Sequence, residues 1–254
     1  RNVYIAPFVN TEECQYLVIE DRFPGGRPEL EQAGLIFTDR ETVNKAERMK
    51  VCTCLNPLHT ALAVFGCLLG FSSISDEMKD DALRKLVEGV GYTEGLPVAA
   101  DPGVLDPKKF LDDVLNIRLP NPFMPDTPQR IATDTSQKLA VRFGETIQAY
   151  ANSAELDVKN LKKIPLVFAG WLRYLTGIDD KGQAFQLSPD PMLDTLCPYV
   201  KEENLRPILE NSEIFGVNLY EVHMADTVIG YFKEMQAGPG AVRKTLEKEV
   251  NAHA

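Results

Sequence analysis

The stretch KVCTCLNPLHTALAVFGCLLGF, residues 50–71, decides how this chain folds. From residue 61 onward it is almost continuously apolar, yet shorter than the roughly twenty residues that cross a bilayer, so it reads as the core helix of a globular domain. Pro57 sets where that helix begins. A proline inside a helix removes a hydrogen bond and clashes with the preceding turn, whereas the first helical position accepts it. With Asn56 as N-cap and Pro57 at the first position, the spacing predicts a break near Leu55 and a helix over 57–69. His59 then falls in a first helical turn, where unpaired N–H groups and the positive dipole end disfavour protonation of an imidazole.

Working outward, Thr38 and Glu41 in TDRE form a capping-box pattern, which predicts a helix from there to about residue 54. Residues 1–38 are rich in Pro, Gly and β-branched or aromatic residues (VYIAPFV, QYLVIEDRF, PGGRP) and read as an extended lead-in ending in a turn. Downstream, helices are predicted over 75–90, 107–115, 135–152, 164–175, 201–211 and 218–236, and a charged helix over 241–254. Pro165 sets the start of the fourth of these by preferring a first helical position. Strand signals are confined to the lead-in, so the fold class is mainly α: one multi-helix domain over 1–254.

Composition narrows the function. The 254 residues carry a formal charge of −10, and no basic stripe offsets phosphate repulsion, so nucleic acid is not an expected partner. An anionic substrate would have to be held by a few local cations. With 44% hydrophobic residues, 25% charged residues and no uninterrupted apolar run of bilayer length, no membrane association is expected. The first residues lack a signal-peptide pattern, which leaves the cytoplasm as the expected location. Cys14, Cys52, Cys54, Cys67 and Cys197 are an odd number, two of them in a strained C-x-C pair, and are expected to be reduced thiols. With only His59, His223 and His253 available, no metal site is expected.

Two polar clusters carry potential chemistry. Lys50, flanked by Met49, Val51 and Leu55, is an acid or base if burial lowers its pKa. An amide at Asn56 and an imidazole at His59 would donate hydrogen bonds to an oxygen gaining negative charge. The competing reading is a surface lysine, a helix cap and a satisfied buried histidine. The second cluster, RLPNPFMPDTPQRIATDTSQK, holds Arg118, Asn121, Asp126, Arg130, Asp134, Ser136 and Lys138. Steps of four place Arg130, Asp134 and Lys138 on one helical face, either as a surface ion-pair ladder or as a rim whose cations hold a hydroxylated or anionic substrate.

KVCTCLNPLH resembles the active-site segment of the polyol-specific long-chain dehydrogenases, the family of mannitol dehydrogenase and fructuronate reductase, with its lysine followed by Asn-x-x-His. YLVIEDRFPGGRPELEQAGLIFTD is similar to the family's lead-in, RIATDTSQK to its substrate-site Arg and Lys seven residues apart, and WLRYLTG to a later core helix. The resemblance covers almost the whole chain. It implies that Lys50 is the general acid or base, that Asn56 and His59 hold the reacting oxygen, and that Arg130 and Lys138, with Asn121 nearby, bind the rest of the substrate. It also implies a metal-independent, NAD-dependent oxidoreductase, with D-fructuronate and D-mannonate as the favoured pair; tagaturonate, mannitol and arabinitol remain open.

Two departures from the family pattern carry expectations. Five residues, not four, separate Lys50 from Asn56. In a regular helix the extra residue would rotate Lys50 by about 100°; either a one-residue bulge near 52–55 absorbs it, the favoured reading, or Lys50 is not the equivalent lysine. No G-x-G-x-x-G or Walker A motif is present, although relatives bind the nicotinamide in an N-terminal Rossmann domain. The chain is therefore expected to be the C-terminal, substrate-binding half of a two-domain dehydrogenase, with that Rossmann domain as its partner. A non-catalytic helical binding or assembly module is the reading from another class.

Overall fold

The computed structural model describes residues 17–252; VYIAPFV, Cys14 and His253 lie outside them. The lead-in forms a parallel pair, β1 (Val18–Glu20) and β2 (Ile36–Thr38), with Val18 opposite Ile36 and Glu20 opposite Thr38. Arg27 braces the crossover between the strands. It bonds Asp21 at 2.8 Å and Glu31 at 2.6 Å while its guanidinium lies 3.5 Å from the centre of the Phe37 ring.

Helix α1 (Arg40–Arg48) is capped by Asp39, which accepts the Thr42 N–H at 2.8 Å. The expected cap, Thr38, is instead the last residue of β2, so its backbone is committed to the strand pair. A π-helical turn, Met49–Cys54, follows, with the Leu55 N–H donating to the Lys50 carbonyl at 3.0 Å. Leu55, at φ −132°, breaks the helix, and α2 (Asn56–Leu69) starts afresh. Its N-cap is Leu55, not the expected Asn56, and Pro57 takes the second helical position. That position also lacks an intrahelical N–H partner, which is why proline fits there.

Beyond α2 come α3 (Ile74–Glu77), α4 (Asp81–Glu88), α5 (Pro107–Asp113), α6 (Pro128–Ile131), α7 (Glu145–Asn152), α8 (Lys163–Tyr174), α9 (Leu193–Lys201), α10 (Arg206–Leu209), α11 (Ser212–Phe215), α12 (Ala225–Met235) and α13 (Ala241–Asn251). The helix expected over 75–90 is split, because the Asp80 carboxylate caps α4 by accepting from Ala82 and Leu83. The one expected over 135–152 begins as a short 3-10 turn, and the one over 218–236 starts only at Ala225. Over 202–211 only α10 is helical, and α9, which holds Pro198 in its interior, was not among the expected helices.

The core is built on α2, α8 and α12, with α8 packed against both neighbours. Every residue of α8 is buried, and so are Pro57, Leu58 and residues 60–68 of α2. At Gly170 a Cβ would come within 3.0 Å of the Phe65 ring, so α2 and α8 approach closely where glycine stands. Taken together, α1, the π-turn and α2 (Arg40–Leu69) are long and apolar enough to cross a bilayer, but 78% of their apolar window is buried inside this fold.

The start of α8 lacks a local side-chain cap. Glu94 serves from a distance, its carboxylate accepting the N–H groups of Lys162 (2.6 Å), Lys163 (2.6 Å) and Ile164 (2.8 Å). Lys163 in turn pairs with buried Glu249 of α13 at 3.0 Å, and Tyr231 of α12 donates to the same carboxylate at 2.6 Å. These bonds fix α8 against α12 and α13, and α8 backs the helix that carries the polar cluster.

Candidate active site

Lys50 sits in the first half of the π-turn, its side chain 16% exposed and its Nζ 3.6 Å from Glu47 Oε1. The π-turn changes where that side chain stands. One extra residue in a regular helix would turn Lys50 by about 100° about the axis, and a π-turn is the usual way a helix takes up such a residue. Leu55 then breaks the helix before Asn56, so Lys50 and His59 stand on separate helical segments. Asn56 makes no capping bond, so its amide is not committed to the helix start. Its carbonyl accepts from Thr60 Oγ1 at 3.0 Å, tying together the turn that carries Asn56, His59 and Thr60.

His59 is 13% exposed, and its Nε2 lies 3.8 Å from Asp126 Oδ2. Burial pulls its pKa down to about 4; the Asp126 carboxylate opposes that shift, while Arg118, Arg142 and Arg130 reinforce it. A neutral imidazole carries one N–H and one lone pair at neutral pH, which suits it to donate to a substrate oxygen without adding a charge of its own.

Around this imidazole the second cluster converges, though not as a helical ladder. Helix α6 ends at Ile131, and Asp134 adopts φ 54°, so Arg130, Asp134 and Lys138 do not share one helix face. Arg130 instead pairs with Asp126, the exposed cation (63%) against the buried carboxylate (12%). Lys138 Nζ donates to the carbonyls of Ile131 (3.4 Å) and Thr133. Burial lowers the Lys138 pKa, and nearby Arg142 and Arg130 lower it further against the opposing pull of Asp134 and Asp190. Asn121 uses its side-chain oxygen within its own turn, accepting the Phe123 N–H at 3.0 Å. Ser136 is bound through its N–H (2.8 Å) and hydroxyl (2.5 Å) to Asp190.

Sequence reasoning missed Arg142. It lies one turn beyond Lys138, its N–H bonded to the Lys138 carbonyl at 3.0 Å, and its Nη1 donates to Thr60 Oγ1 at 2.6 Å. The spacing KLAVR was the available signal, since residues four apart share a helical face. Counting the charges that act on His59 and Lys138, four cations (Arg118, Arg130, Lys138, Arg142) face three carboxylates (Asp126, Asp134, Asp190). That leaves a local excess of positive charge in a chain of net charge −10.

Two cavities lie elsewhere. One of about 510 Å³ borders the π-turn, lined by Lys45, Arg48, Cys52 and Glu145, and one of about 520 Å³ is lined by Tyr92, Glu94 and Lys163. Burial pushes the Cys52 thiol up to about 11 and Cys67 up to about 12, so neither is a thiolate at neutral pH. Cys52, Cys54, Cys67 and Cys197 carry no disulfide. Among the described residues no cluster of His, Cys, Asp or Glu is arranged to hold a metal ion. A dinucleotide does not fit the junction of β2 and α1 either: no glycine-rich turn is present, and the Asp39 carboxylate occupies the helix N-terminus where a pyrophosphate would sit.

The chain is similar to several known proteins. A D-mannonate oxidoreductase of Thermotoga maritima is 61% identical over 98% of this chain and 48% of its own length. A mannitol 2-dehydrogenase of Phaeosphaeria nodorum is 33% identical over 83% of this chain and 36% of its own. The solved structure of Pseudomonas fluorescens mannitol 2-dehydrogenase, a ternary complex with NAD and D-mannitol, superposes with a TM-score of 0.78 at 25% identity, covering 92% of this chain and 46% of that one. The chain spans about half the length of these relatives at most. Residues 42–236 match the model of the mannitol dehydrogenase C-terminal domain, and the chain thus belongs to the mannitol dehydrogenase family.

Proposed function

We propose that this chain is the substrate-binding and proton-transferring half of an NAD-dependent oxidoreductase that interconverts a keto-sugar acid and its alcohol, D-fructuronate and D-mannonate. The observation that carries the reading is a neutral His59 set among cations that outnumber their neighbouring carboxylates, within a strongly acidic chain. Such a site attracts a small anion and can donate to its reacting oxygen. The name of the 61% identical Thermotoga maritima relative supports the same substrate pair.

In this reading Lys50 exchanges the hydroxyl proton, while Asn56 and His59 donate hydrogen bonds to the oxygen as it gains charge. Nicotinamide takes or gives the hydride. The described residues do not form its pyrophosphate cradle, so a Rossmann domain in the remainder of the full-length protein is the proposed holder. Arg130 and Lys138 line the substrate side of the cluster.

A second reading, a neutral-polyol dehydrogenase, draws on the D-mannitol in the Pseudomonas fluorescens complex. The cation excess favours the acid. A panel of hexuronates, ketoses and polyols, assayed with NAD(H) and NADP(H) on the full-length protein, tests the choice. The expected result is D-fructuronate reduction with the highest kcat/KM; a higher value for D-fructose or D-mannitol would overturn it.

A further inference from the structure

Arg142 is a half-buried cation without a carboxylate. Among the described residues its only side-chain hydrogen bond goes to Thr60 Oγ1 at 2.6 Å, and no acid forms an ion pair with it. Burial alone accounts for its guanidinium pKa falling to about 10; no acidic neighbour raises it. This is unusual beside its neighbours. Arg130 is held by Asp126, and Lys138 donates to two backbone carbonyls. Taking a guanidinium out of water is costly unless an anion meets it, and its five donors form a planar fork that matches a carboxylate. Thr60 engages one donor. Thr60 directly follows His59 and donates to the Asn56 carbonyl at 3.0 Å, so the guanidinium bonded to it stands beside the turn that carries Asn56 and His59.

We infer that Arg142 receives the carboxylate of the substrate and sets the preference for sugar acids over neutral sugars, with Thr60 steering its guanidinium toward the turn that carries Asn56 and His59. The inference rests on the sugar-acid reading above and assigns the carboxylate to Arg142 in place of Arg130, whose charge Asp126 already balances. A fork-to-carboxylate contact forms in the ground state and persists through hydride transfer, so its loss raises KM more than it lowers kcat.

The test uses the full-length protein with D-fructuronate and reduced nicotinamide cofactor. Arg142→Met is expected to raise KM ten- to a hundredfold and lower kcat less than threefold. Arg142→Lys, which keeps a point charge but not the fork, should raise KM three- to tenfold and preserve the fold if the methionine variant loses it. Thr60→Val distinguishes carboxylate binding from simple support of the turn. If Arg142 only props up Asn56 through Thr60, then Arg142→Met and Thr60→Val will both lower kcat with KM unchanged, and the inference is overturned. An unchanged KM in Arg142→Met and Arg142→Lys overturns it as well, with the sugar-acid reading intact. A wild-type protein that turns over no hexuronate removes both readings together.

Discussion

Replacing His59 with asparagine is expected to flatten the acid limb of the chain's stability curve. In the unfolded chain an imidazole takes up a proton near pH 6.5, whereas His59 in the fold resists it until about pH 4. Between those values the unfolded state binds more protons than the native state, so stability falls as pH is lowered through the window and the loss is complete near pH 4. A difference of 2.5 pH units at about 1.4 kcal/mol each gives roughly 3–4 kcal/mol. The side chain is only 13% exposed, so solvent screens little of this, and the effect of Asp126 is already contained in the shift. The assay is urea unfolding between pH 7.5 and 4, followed by the fluorescence of Trp171, the chain's single tryptophan, which is fully buried. Other groups titrate over the same range, so the readout is the difference between wild type and His59→Asn, which should narrow or reverse by roughly 3–4 kcal/mol. Parallel curves for the two proteins would refute a neutral, cation-ringed imidazole.

Two further predictions concern the scaffold. Glu94→Ala strips three N–H groups at the start of α8 of their acceptor and should cost about 2–4 kcal/mol in urea unfolding; a change below about 0.5 kcal/mol would show that water caps the helix equally well. Glu77 is fully buried, neither carboxylate oxygen has a hydrogen-bond partner, and burial holds its pKa well above the usual range. Glu77→Met should therefore stabilise the fold by about 1–3 kcal/mol, whereas Gly66→Ala, whose Cβ would clash with the buried Glu77 carboxyl, should destabilise it. A destabilised Glu77→Met variant would mean that this carboxyl has a polar role.

The helical character of the domain and the break before α2 were legible because Pro57 and the apolar run after it act locally. The extra residue before Asn56 was likewise legible as an insertion, and it takes the form of the π-turn Met49–Cys54. What could not be read was supplied by distant chain. Glu94 caps a helix nearly seventy residues away, and no pattern around Lys162 announces it. The Arg130 to Lys138 ladder was misjudged because periodicity assumes an unbroken helix, and Asp134 in the left-handed region breaks it. Helix α9 was not among the expected helices and holds Pro198 in its interior; packing of Leu196 and Val200 into the core outweighs the hydrogen bond that the proline removes. Beyond the KLAVR spacing Arg142 gives no signal in the sequence, because the lack of a carboxylate beside it shows only once its neighbours are in place.

The central claim, that the turn from Lys50 to His59 performs proton transfer and oxygen binding, is tested most directly by kcat of the full-length Lys50→Ala protein with D-fructuronate and reduced cofactor. The account predicts a fall of roughly two to four orders of magnitude with unchanged melting temperature, and no rescue by Lys50→Arg, because a guanidinium does not release its proton. Turnover within a few fold of wild type in Lys50→Ala would contradict it and leave Lys50 a surface lysine beside Glu47.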